Sequence, residues 1–168
     1  MNKAKNRKAQ VIVGAFLVGA SCLLGSPIAF AGGSPPTEVT FSFDIPAEFI
    51  KEGACDFPVR WSGNQKAGTI VLPGNRFIFT SPRAEVVVTN LDDPTKSVTL
   101  KVPGAFHVST DQDGNIVTVV TGRNLLGDPV AGMVLALGTF SFIFDSGGTL
   151  VRPLTGNGQL IDVCELID

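Results

Sequence analysis

Apolar residues in this chain recur two apart rather than three or four apart, and clusters of Gly, Pro, Asn and Asp interrupt the pattern every eight to twelve residues. A helix buries a stripe of 3.6-residue period, so this alternation confines the chain to an all-β fold. Val39, Phe41, Phe43 and Ile45 alternate with Thr40, Ser42 and Asp44, and Pro46 stops the run. Residues 46–53 (PAEFIKEG) form the one stretch suited to a helical turn. Cys55, Phe57, Val59 and Trp61 then share a face of a second strand.

Further strands are predicted at Gly68–Leu72, Arg76–Thr80, Ala84–Asn90, around Val98–Val102, at Phe106–Thr110 and at Asn115–Thr121. The last two flank Asp111-Gln112-Asp113-Gly114, where the Asp-Gly step supplies the positive φ of a tight turn. Val130 to Phe144 carries no charge and is apolar on both faces, which predicts a central strand. Gly148–Leu154 and Gln159–Val163 are predicted to form a closing hairpin through Thr155-Gly156-Asn157-Gly158. About ten short antiparallel strands on hairpin-length links imply a single β-sandwich domain, with a small β-barrel as the alternative.

The N-terminus is an address. Lys3, Lys5, Arg7 and Lys8 precede an apolar run from Val11 to Gly25, and Ala29-Phe30-Ala31 places small residues at a signal-peptidase site. The expected organisation is a cleavable signal peptide over residues 1–31, a flexible mature N-terminus over 32–36 and the β-sandwich over 37–168. Two rivals, an uncleaved anchor and a lipoprotein modified at Cys22, fit less well. The apolar run is shorter than the roughly 20 residues of a bilayer span, and Cys22 lacks the usual upstream leucine.

Processing removes four of 13 basic residues and none of the 15 acidic ones, leaving nine against fifteen, a net charge of −6. A mildly acidic chain without a basic cluster has no nucleic-acid footprint, and nothing predicts membrane insertion after cleavage. Of the three cysteines, Cys22 leaves with the signal, so Cys55 and Cys164 form the expected disulfide in an oxidising, extracellular or envelope compartment.

The stretches CDFPV, VVVTNLDDPTKSVTLKVPG, STDQDGNIVTVVTGRN, GDPVAG and GQLIDVCELI are similar in layout to those of a group of small secreted β-sandwich proteins from actinobacteria and related bacteria. The resemblance spans nearly all of the mature chain. It implies the fold and export. That group has no assigned catalytic or binding residues, so the resemblance implies nothing about chemistry.

A search for chemistry returns few candidates. His107 is the one histidine, and no G-x-S-x-G accompanies it, so an ordinary strand histidine is the expectation. Asp111, Asp113 and Asn115 are candidates for a weak calcium site, but Gly114 falls fourth rather than sixth and Gly122 stands where an EF-hand requires Glu. One His and two distant Cys do not supply a zinc set, and no cofactor is expected. Trp61 is the candidate ligand contact, in a chain with one Trp and no Tyr. The expected function is a non-enzymatic interaction or structural module whose partner is a cell-surface protein or carbohydrate. The alternative is a small secreted hydrolase of envelope carbohydrate or lipid, with acids drawn from strand ends.

Overall fold

The computed structural model describes residues 32–52 and 54–168. The signal peptide expected over residues 1–31, with Cys22, lies outside the described residues. Nine strands are present among them: β1 (Gly32–Ile45), β2 (Val59–Leu72), β3 (Arg76–Thr80), β4 (Glu85–Asn90), β5 (Ser97–Lys101), β6 (Gly104–Thr110), β7 (Ile116–Asp128), β8 (Gly132–Phe144) and β9 (Leu150–Asp162). A 3₁₀ turn over Ala47–Glu52 fills the predicted helical position. All pairings are antiparallel, in one open sheet of order β5-β4-β2-β3-β6-β7-β8-β9. The sheet is not closed, which removes the barrel alternative.

Strand β2 organises the first half. Its residues 59–64 pair with β4 on one edge and 68–72 pair with β3 on the same edge, while β1 runs along the other. The two short strands predicted over residues 55–72 are therefore one. Gly32, Gly33 and Ser34 pair with Val71, Ile70 and Thr69, so residues 32–36 belong to β1 and are no free lead-in; Pro35 and Pro36 fall in its register shift.

The predicted closing hairpin is also corrected. Residues 155–158 stay extended inside β9, where Thr155, Gly156, Asn157 and Gly158 oppose Ser141, Phe140, Thr139 and Gly138. The glycines that read as turn residues serve close approach instead. A Cβ on Gly138 would lie 2.3 Å from the Asn157 carbonyl oxygen, and one on Gly158 would lie 2.1 Å from that of Leu137. Directly opposed pairs continue the row across four strands: Gly104 with Gly122, Gly122 with Gly138, and Gly138 with Gly158.

The sheet folds over at this row. Asp128 opposes Gly132 at one end of the β7–β8 pair, whereas Leu154 lies one residue before Thr155, the partner of Ser141. Straight strands rising about 3.3 Å per residue would separate those levels by roughly 30 Å. Yet the Asp128 carboxylate accepts the Leu154 backbone N–H at 3.2 Å. Val134, Ala136 and Leu126 from one side of the row accordingly pack with Val120, Phe140, Phe106, Phe142 and Leu154 from the other.

The opposite face of the same stretch carries a second core. Met133 and Leu135, with Leu125, Leu137 and Ile161 against them, join Val59, Val86, Val88 and Leu100 from β2, β4 and β5, and Val102 just after β5. Residues 133–136 are buried in sequence because successive side chains enter different cores. The strand predicted from two apolar faces is present and paired on both edges, by β7 and β9, but it stands one strand in from the end of the sheet rather than at its centre; it begins at Gly132, and Val130 sits 75% exposed in the preceding turn.

Cys55 and Cys164 form the expected disulfide, with Cα atoms 5.5 Å apart. Cys55, expected in the second strand, instead precedes β2, and Cys164 begins a 3₁₀ turn, Cys164–Leu166, after the last strand. The bond ties that turn to the wider core, into which Val163 and Ile167 insert fully buried.

Candidate functional site

Trp61 faces the core with Cys55, Phe57 and Val59, as its alternation requires. Its indole N–H donates to the Met133 sulfur at 3.4 Å, which fixes the ring across the space between β2 and β8. Phe43 stands opposite Trp61 in register, with ring centroids 5.7 Å apart, and Phe41 lies 6.1 Å beyond. Beside these rings is a half-open cleft of about 90 Å³. Trp61, Phe106 and Leu125 give it apolar walls, and Gln65, Ser81 and Asn124 bring polar groups.

Each polar group has a defined state. Ser81 Oγ donates to Gln65 Oε1 at 2.9 Å, so the Gln65 amide is oriented with its oxygen engaged. Asn124 is 4% exposed; its Nδ2 donates to the Thr121 carbonyl at 3.0 Å, which assigns the flip of the amide. Asn124 Oδ1 accepts no hydrogen bond from the described residues. It rests against the Gly104 Cα, where a Cβ would lie 2.1 Å away, and a Cα–H is at best a weak donor.

The other candidates lie elsewhere. His107 is exposed on β6, its Nε2 3.4 Å from Thr121 Oγ1. Asp111 closes the β6–β7 turn, where Oδ1 accepts the N–H groups of Asp113 and Asn115 and Oδ2 accepts the Asn115 side-chain amide. These bonds, led by the Asn115 side chain, hold the Asp111 carboxyl below the ordinary range. Asp145 repeats the design between β8 and β9, accepting from Gly147 and Thr149, and its carboxyl is likewise lowered.

Other aspartates are similarly engaged. Asp128 Oδ1 accepts the N–H groups of Val130 and Ala131, and Asp162 accepts those of Cys164 and Glu165. Asp44 forms a two-pronged pair with Arg60, at 2.6 and 2.9 Å, whose hydrogen bond lowers the Asp44 carboxyl and raises the Arg60 guanidinium. Among the described residues no group of three His, Cys, Asp or Glu converges to hold a metal.

The alternation of β2 signals Trp61, but not the cleft around it. Gln65 falls in a strand that was expected to have ended, Ser81 in a loop, and Asn124 beyond the predicted end of β7. The chain matches no family model, no curated protein and no solved structure.

Proposed function

We propose that this chain is an exported, disulfide-stapled β-sandwich module of the bacterial cell envelope or exterior that binds its partner without transforming it. The observation that carries this reading is the lining of the Trp61 cleft. It offers aromatic surface, two amides and a hydroxyl, but no acid, base or thiol among its described residues. Such groups make reversible contacts, whereas hydrolysis requires a proton donor and acceptor placed at the scissile bond. Two cores on either face of β8 support the layered, sandwich-like arrangement. The disulfide is compatible with an oxidising compartment, and no helix of the described residues is long and apolar enough to cross a membrane.

Capture from native envelope material with the exported protein tests the reading. A specific cell-surface protein or carbohydrate should be enriched, and Gln65→Leu should reduce that enrichment while His107→Ala leaves it intact. Turnover of envelope carbohydrate or lipid that disappears with His107→Ala would replace the module with a hydrolase. Mass spectrometry of the secreted form should give Gly32 as its first residue; retention of residues 1–31, or lipid on Cys22, would overturn the processing assigned here.

A further inference from the structure

The binding-module reading leaves the ligand open, and the inventory of the Trp61 cleft narrows it. At about 90 Å³ the cavity is well below the 300–1,000 Å³ that encloses a whole small-molecule ligand. It admits a substituent rather than a molecule. Its apolar walls, Trp61, Phe106 and Leu125, suit a methyl group.

The polar atoms set the rest. Gln65 Oε1 is taken by Ser81, which leaves the Nε2 hydrogens to donate. Asn124 Nδ2 is taken by Thr121, which leaves Oδ1 to accept. Nine-tenths or more buried and without a donor, that oxygen loses hydration on folding and recovers little from the Gly104 Cα. One neutral donor and one neutral acceptor flanked by apolar walls complement a secondary amide bearing a methyl group. A carboxylate finds no cation in the lining, and an ammonium finds no anion.

Resting on the binding-module reading, which supplies envelope carbohydrate as the source, the geometry points to recognition of an acetamido group, here that of an N-acetylated amino sugar. Its carbonyl accepts from Gln65, its N–H donates to Asn124 Oδ1, and its methyl lies against Trp61 and Phe106. The rest of the sugar stays outside the cavity, as the half-open mouth requires.

Trp61 is the chain's one tryptophan, so its emission and its indole N–H resonance report directly on the cleft. The exported protein is titrated with N-acetylglucosamine and its trisaccharide, with glucosamine, with glucose and with Nε-acetyl-lysine. Both N-acetylated sugars should shift the two signals saturably, while glucosamine and glucose leave them unchanged. Gln65→Leu should weaken binding about tenfold, the scale of one neutral hydrogen bond, with an unaltered melting temperature; Ser81→Ala, which frees the Gln65 amide to rotate, should weaken it less.

Equal response to glucose and N-acetylglucosamine, or no response to either sugar, overturns the amide assignment. Response to acetyl-lysine alone overturns the sugar and transfers the pocket to acetylated peptides. Continued capture of envelope material with silent titrations removes the acetamido assignment and leaves the binding module standing. Loss of both removes the two together.

Discussion

The side-chain amide of Asn90 donates to the carbonyl of Ile167 at 3.0 Å, joining the end of β4 to the penultimate residue of the chain. The same side chain accepts the backbone N–H groups of Asp92 and Asp93 through Oδ1. One residue, 5% exposed, thus builds the β4–β5 turn and anchors the C-terminal segment over the wider core.

Asn90→Ala removes both functions and leaves buried backbone groups without partners. It should lower the unfolding free energy by about 1–3 kcal/mol, measured by urea denaturation. Asn64→Ala, at an exposed position of β2, should stay within about 0.5 kcal/mol. Equal effects would show that the Ile167 anchor contributes nothing.

Replacing Cys55 or Cys164 with Ser should cost about 2–5 kcal/mol and lower the melting temperature by several degrees or more. The loop closed by the bond spans 109 residues, so its loss frees most of the unfolded chain. Thiol titration of denatured protein cleaved before Gly32 should find no free thiol. Two free thiols would refute the bridge.

The glycine row should be intolerant where its backbone is crowded. Gly138→Ala sets a Cβ 2.3 Å from a carbonyl oxygen at φ +138°, and should destabilise by more than about 2 kcal/mol. Gly148→Ala has positive φ but meets nothing within 4 Å, so it should cost only about 1 kcal/mol. Comparing the two by thermal melting separates crowding from backbone strain.

Acid should weaken the fold through its turn carboxylates. Asp93, Asp111 and Asp145 have carboxyls lowered from the ordinary value of 3.8, chiefly by the Thr95 hydroxyl, the Asn115 side chain and the Thr149 N–H respectively. A folded pKa below the unfolded one gives stability that is complete above pH 4 and lost as the pH falls through the folded value. Asp111→Asn with Asp145→Asn should flatten that acid limb, as followed by denaturation between pH 5 and 2. An unchanged limb would assign it to other groups.

Local alternation was enough to specify strand character, the buried face of Trp61, the Asp111–Gly114 turn and the two-faced burial of β8, because each depends on neighbours within a few residues. Cysteine arithmetic was enough for the bridge, since the expected loss of residues 1–31 with Cys22 leaves Cys55 and Cys164 as the one pair. Tertiary structure decided the rest. Gly156 and Gly158 have the composition of a turn, and only the backbone of β8 lying against them makes them strand residues. The cleft depends on the sheet folding at the glycine row, which brings Asn124 and Phe106 beside Trp61 and Gln65. No local pattern encodes that meeting, because residues so far apart in the chain become neighbours only when the two halves of the sheet close on a shared core.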